Sequence, residues 1–255
     1  MISKSTIKLI KSLAIKKYRV KENLFLVEGD KNILEVLNSE YKTEVLFATK
    51  TFIAANRSSC KKAKNITEVD PAEIKKASLL QNPQNCLALC ELLQNRELPK
   101  NLTENLSIYL DDIQDPGNLG TIIRICDWFG IENLFCSLNT VDFYNPKVIQ
   151  ASMGSFCRVN LFKTNFDHIE KLAAISGTPI FGAFLEGDNI YTTTLPQKAI
   201  LVMGNEGNGI RKELERKITQ KIKIPEFSEN SEGAESLNVS VATAIICSEF
   251  KRRSI

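Results

Sequence analysis

"SIYLDDIQDPGNLGTIIRICDWFG", residues 107–130, is the stretch on which the fold turns. Ser107–Leu110 is strand-like, and Asp115-Pro116-Gly117-Asn118 is a strong turn sequence. An apolar helix is expected over Leu119–Phe129, with Gly130 placed to end it in a left-handed cap. Strand, turn, helix and stop in that order make one βα unit. Such units build parallel sheets, because parallel neighbours need a crossover.

The alternation continues on the C-terminal side. Strands are expected at Asn133–Cys136, Arg158–Leu161, Pro179–Ala183, Ala199–Met203 and Lys221–Ile224. Helices are expected at Pro146–Ala151, Phe166–Ile175, Ile210–Lys217 and from Val239 to Phe250. This predicts an α/β fold, a mostly parallel sheet with helices on both faces. Upstream, helices at about 3–13, Lys31–Leu37 and Ala72–Lys76 alternate with strands at Leu24–Val27, Val45–Ala48 and Cys86–Cys90. That is a smaller α/β domain. Between them "LQNRELPKNLTEN", residues 93–105, is polar, contains Pro99 and has no apolar period. The expected division is a first domain at 1–98, a linker at 99–106 and a second domain at 107–255.

With 255 residues, 43% hydrophobic and 25% charged, the chain has the composition of a folded protein rather than a disordered one. No apolar run approaches the ~20 residues of a membrane helix. The N-terminus lacks the unbroken apolar core of a signal peptide. A cytoplasmic protein with no membrane partner is expected. Seven cysteines, none in a C-x-x-C pair, read as reduced and buried. His168 is the only histidine and has no cysteine near it in sequence, so no metal site is expected. Charge is uneven. Residues 1–100 hold 18 Lys+Arg against 11 Asp+Glu, and the remainder 15 against 19. Seven basic groups and no acid fall in the first 21 residues: Lys4, Lys8, Lys11, Lys16, Lys17, Arg19 and Lys21. Such an end suits a polyanion, and also suits a plain solvated helix face.

Three junctions could carry chemistry. The first places Asn118 at a helix start and Arg124 as the lone charge in an apolar stretch. The second, "ILVMGNEGNGI" (200–210), runs a strand into three glycines that permit close backbone approach to a ligand, with Glu206 among them. It is neither a G-x-G-x-x-G turn nor a phosphate-binding P-loop, which weighs against a dinucleotide-dependent oxidoreductase. The third, "AESLNVSVATAI" from Ala234, sets Ser236 and Asn238 before the last helix, as ordinary caps or as groups beside a ligand. All three lie at carboxyl ends of expected strands, where open α/β sheets bind ligands.

Together, "DPGNLGTIIR…FG", "MGNEGNGI" and "IP…ESLNVSVATAI" resemble the three signature motifs of the SpoU-type (TrmH-like) RNA ribose 2′-O-methyltransferases of the SPOUT superfamily. "NPKVIQASMGS" (145–155) resembles the segment between the first two motifs, and "KKYRVKENLFLVEGDKNILEVL" (16–37) the start of an N-terminal RNA-binding domain with a ribosomal-protein-like α/β fold. One departure is the spacer "EFSENSEGA" (226–234), about four residues longer than usual, an insertion of the kind surface loops tolerate.

The resemblance implies a deep trefoil knot and S-adenosyl-L-methionine bound by backbone near Gly204, Ile224 and Leu237. It also implies a homodimer through the knotted domain and a structured RNA substrate, ribosomal RNA before transfer RNA. A non-catalytic RNA-binding relative is the alternative. It implies catalytic roles for Arg124, Asn118, Glu206, Ser236 and Asn238. Arg124 is a poor base, because guanidinium stays protonated; as a clamp on RNA and a stabiliser of the developing alkoxide it is well suited. Ser236 and Asn238 are expected to cap the last helix and line the pocket at once. His168 is expected on the surface.

Overall fold

The computed structural model describes residues 1–93, 96–102, 104–227 and 235–253. In chain order the first part holds α1 (Lys4–Ser12), α2 (Lys16–Glu22), β1 (Leu24–Glu28), α3 (Asp30–Leu37), β2 (Thr43–Ala48), α4 (Lys50–Ala55), α5 (Arg57–Cys60), β3 (Ile66–Glu68), α6 (Pro71–Ala77) and β4 (Cys86–Glu91). There follow β5 (Ser107–Leu110), α7 (Pro116–Trp128), β6 (Asn133–Cys136), α8 (Pro146–Ser152), β7 (Asn160–Lys163) and α9 (Phe166–Ser176). The chain ends with β8 (Ile180–Asn189), β9 (Ile200–Met203), α10 (Lys212–Glu215), β10 (Gln220–Lys223) and α11 (Val239–Arg252). Two compact units result: Met1–Asn95 with Asp142–Arg158, and Arg96–Val141 with Val159–Ile255.

The first unit is a four-stranded sheet in the order β1-β4-β2-β3, with β4 antiparallel to both neighbours and β2 parallel to β3. Ile10 and Leu13 from the N-terminal helices bury against Leu26, Phe47, Ile74, Leu87 and Leu89. Burial of each such side chain is worth roughly 1.5–3 kcal/mol.

Asp142–Arg158 belongs to this unit, which the boundary expected at 98 did not include. Its fit has clear causes. Phe25 packs its ring 4.7 Å from Tyr144 and 6.2 Å from Phe156. Asp142 pairs with Arg19 at 2.6 Å, and Arg158 pairs with Glu35. Gly154 is left-handed (φ +91°), and a Cβ there would lie 2.4 Å from Glu35 Cγ, so a side chain is excluded twice over. Arg19 also donates to the carbonyls of Leu13 (2.6 Å) and Ala14 (3.0 Å) and is 2% exposed. It is therefore a core anchor and not one of the basic groups on offer to a polyanion.

The second unit is a six-stranded sheet, β10-β8-β9-β5-β6-β7, parallel throughout. Every residue of β5, β6 and β9 is buried, as strands covered on both faces must be. Tyr109, Phe135, Phe162, Phe166, Ile169 and Val202 lie in its core. Leu102 joins that core and Leu106 is buried, so the stretch expected as a linker contributes apolar anchors.

Several boundaries move. α10 covers only Lys212–Glu215, because Ile210 is buried in the core and Arg211 is held by Asp111. β7 begins at Asn160, after a 3-10 turn over Ser155–Cys157. α2, α4, α5 and β3 are additional to the expected elements. The spacer expected to be long, 226–234, lies outside the described residues from 228 onward.

Candidate active site

The site forms at the carboxyl ends of β5, β9 and β10, all within the second unit. Register puts them on one side: β5 pairs with β9 from Ser107↔Ile200 to Leu110↔Met203, and β8 links β9 to β10. Gly204 follows β9 directly and Ile224 follows β10 directly. Leu237 precedes the cap of α11 and is 50% exposed.

At the first junction Asp115, not Asn118, caps α7. Its Oδ1 accepts from the Asn118 amide at 2.8 Å. Pro116 takes the first helical position, where a missing N–H costs nothing. Asn118 therefore sits in the first turn with its side chain free for other partners. Its Nδ2 donates to Glu206 Oε1 at 3.0 Å, and its Oδ1 accepts from Asn238 Nδ2 at 2.9 Å.

The second junction is a tight closed loop. Asn205 and Gly209 exchange backbone hydrogen bonds at 3.0 Å. A Cβ on Gly204 would fall 2.3 Å from the Gly209 carbonyl carbon and 2.4 Å from the Ile210 nitrogen. Asn205 Oδ1 accepts from the amides of Gly207 and Asn208, both at 3.0 Å, while its Nδ2 donates to the Asp112 carbonyl at 2.7 Å. The same Nδ2 lies 3.3 Å from Glu206 Oε2.

At the third junction Asn238 is the cap of α11. Its Oδ1 accepts from the Ser240 amide (2.9 Å) and hydroxyl (2.6 Å) and from the Val241 amide (3.4 Å). Ser236 is exposed and caps nothing; the cap expected to be shared falls to Asn238 alone.

These bonds have one consistent direction. A carboxylate only accepts, so Asn118 turns its NH2 toward Glu206. Its carbonyl then accepts from Asn238, whose own carbonyl is left to cap the helix. Three loops distant in sequence are thus locked by a single relay of amides ending on a carboxylate.

Arg124 lies further along α7, exposed, and its side chain makes no hydrogen bond or ion pair to another described residue. A cation at this position is open to an incoming anion. His168 is exposed on α9, near Thr164 Oγ1 (3.4 Å), and is no part of this relay. All seven cysteines are unpaired, six of them buried. Burial pushes the Cys90 and Cys247 thiols up to about 12, which makes them inert as nucleophiles.

Sequence reasoning missed Asp111, Asp112, Asn205 and Arg211. Asp111 is fully buried and accepts from Arg211 Nε at 2.8 Å and from the Arg211 amide at 2.9 Å. A charged pair directly after a buried strand was the available signal.

The SpoU rRNA Methylase family matches residues 105–248, and the MRM3-like substrate binding domain matches residues 4–88. The 23S rRNA (guanosine(2553)-2′-O)-methyltransferase RlmP of Bacillus subtilis is 30% identical over 240 residues, covering 92% of each chain. A solved structure of a TrmH-family protein from Porphyromonas gingivalis superposes with TM-score 0.87 at 38% identity, over 99% of both chains. The S-adenosylmethionine-bound rRNA methyltransferase of Sinorhizobium meliloti superposes with TM-score 0.85 at 27% identity, over 100% of this chain and 98% of that one. Matched in sequence across both units and in structure along its whole length, the chain belongs to the SpoU family of S-adenosylmethionine-dependent RNA 2′-O-methyltransferases.

Proposed function

We propose that the protein methylates one ribose 2′-hydroxyl of large-subunit ribosomal RNA, the first unit holding the RNA and the second performing the transfer. The observation that carries this is the Glu206–Asn118–Asn238 relay, which joins all three signature segments at one end of a parallel sheet. The B. subtilis relative is named for a 23S rRNA guanosine, which favours ribosomal over transfer RNA.

The residues present suit the methyl donor. Gly207, Asn208 and Gly209 are exposed, and Leu237, next to the relay residue Asn238, is a half-exposed apolar side chain. Gly204, Ile224 and Leu237 are the positions we assign to cofactor contact. When bound, S-adenosylmethionine supplies a methyl group on sulfonium.

The chain's own residues then have two tasks: presenting the 2′-oxygen in line and easing the loss of its proton. Arg124 keeps its charge and clamps an RNA phosphate, stabilising the oxygen as it becomes anionic. A neighbouring phosphate takes the proton. Glu206 and Asn118 fix the acceptor ribose against the glycine loop, Asn238 holds Asn118, and Ser236 completes the wall with a free hydroxyl. A non-catalytic relative has no need of Asn118, Arg124, Glu206, Ser236 and Asn238 together.

Three further features belong to this reading. The family's trefoil knot is supported by the return of the chain end: α11 starts against Asn118, packs along α7 and brings Phe250 to 5.3 Å from Phe181 of β8. A homodimer through this unit is supported by Trp128 on α7 and Val241 on α11, 84% and 48% exposed on two helices that pack together. A cytoplasmic site of action accords with an RNA substrate; among the described residues no helix is long and apolar enough to cross a membrane.

The test is a map of 2′-O-methylated positions in cellular RNA with and without the gene. One lost site in large-subunit ribosomal RNA is expected. Identical maps would overturn the proposal.

A further inference from the structure

We propose that Asp111 and Arg211 form a clamp that holds the Gly204–Gly209 loop in its cofactor-binding shape, which makes both of them positioning residues for methyl transfer. This rests on the reading above that the loop receives S-adenosylmethionine.

Both feet of the loop are tied to one residue. The Asp111 amide donates to the carbonyl of Met203, the last residue before the loop, at 2.8 Å. The Asp111 carboxylate accepts from the amide of Arg211, just beyond the loop, at 2.9 Å. It also takes Arg211 Nε at 2.8 Å and Nη2 at 2.7 Å. The next residue adds a third tie, because the Asp112 carbonyl receives Asn205 Nδ2 at 2.7 Å. Asp112 is one of three non-glycine residues in the left-handed region among the described residues (φ 59°), a conformation that a surrounding framework must hold in place.

Asp111 has no exposure at all, whereas the Arg211 side chain is 37% exposed. A fully buried carboxylate is a poor source of stability compared with an apolar side chain of the same size. What it provides is direction. Its two oxygens fix the main chain and the side chain of Arg211 separately, so the loop can neither slide along β5 nor swing open. Glu206, carried on that loop, then meets Asn118 at hydrogen-bond distance.

Isothermal calorimetry with S-adenosylhomocysteine tests the clamp on the full chain. Asp111→Asn and Arg211→Met are expected to weaken binding ten- to a hundred-fold each. The double variant is expected to be no worse than the worse single one, because the pair acts as a unit. Arg211→Lys keeps the cation without the fork and is expected to fall in between, which keeps the test decisive if the buried variant folds poorly. Affinity for a 23S rRNA transcript by gel shift should stay within two-fold. Ile169→Val, in the core of the same unit, controls for simple loss of stability and should leave cofactor binding unchanged. Clamp variants within two-fold of wild type for S-adenosylhomocysteine would overturn the proposal, as would an Ile169→Val loss equal to theirs. A wild-type chain that binds no S-adenosylhomocysteine would overturn the cofactor reading itself, and the clamp with it.

Discussion

Asn118→Asp places a charge where the relay needs a donor. Aspartate matches asparagine in size, so packing is unchanged, but an oxygen replaces Nδ2 at 3.0 Å from Glu206 Oε1. Two unit charges at that separation repel by about 1.4 kcal/mol even in the full dielectric of water. Losing the charge-assisted hydrogen bond adds about 1.5 kcal/mol, the lower end for a solvent-accessible pair. Together that is roughly 3 kcal/mol, a hundred-fold or more in kcat/KM. Asn118→Ala loses the bonds to Glu206 and from Asn238 without adding a charge, about 2 kcal/mol, and should cost roughly thirty-fold. The order is the diagnostic: an argument from volume alone makes the aspartate variant the milder one. The assay is tritiated methyl incorporation into a 23S rRNA transcript with both substrates below saturation. Adding Glu206→Gln to Asn118→Asp restores a donor facing an acceptor and should recover at least ten-fold. An aspartate variant as active as the alanine variant would refute the relay, and so would a double variant no better than Asn118→Asp.

Arg124→Ala should abolish turnover while S-adenosylhomocysteine affinity stays within a few-fold, because the Arg124 side chain bonds no other described residue; full activity would show that the acceptor side is misassigned. Gly204→Ala should abolish cofactor binding in calorimetry, since its Cβ would sit 2.3 Å from the Gly209 carbonyl carbon and force the loop open. In the first unit, burial raises the pKa of Glu28, and this outweighs the lowering by the Ser78 hydroxyl and Leu79 amide that donate to it. The folded chain then keeps a proton that the unfolded chain has released, so stability falls as pH rises from the usual carboxylate value through the raised one. Glu28→Gln should flatten that decline in thermal unfolding above pH 4.5; a pH profile parallel to wild type would count against it.

What the sequence made legible follows from what a short window can hold. β5 and β6 are expected and found at the same four residues each, because a strand buried on both faces is an unbroken apolar run. α4, α5 and β3 escape notice, being too short, at six, four and three residues, to show a period. The site divides in the same way. Asn118, Glu206 and Asn238 stand at strand-to-helix junctions, and junctions announce themselves through glycine, proline and capping residues. Their partners do not. Asn118 looks like a cap until Asp115 is seen to hold that position, and only then is its amide free to reach residues 88 and 120 positions away. Arg19 reads as one more surface cation until it is found buried, paired with the half-buried Asp142, 123 positions on. Asp111 and Arg211 lie 100 positions apart, and neither belongs to a pattern that names the other. Residues that touch a ligand tend to sit where elements begin and end, and so leave a local trace. The groups that anchor them are chosen by the folded neighbourhood alone, and for that reason the clamp on the glycine loop could only be found in three dimensions.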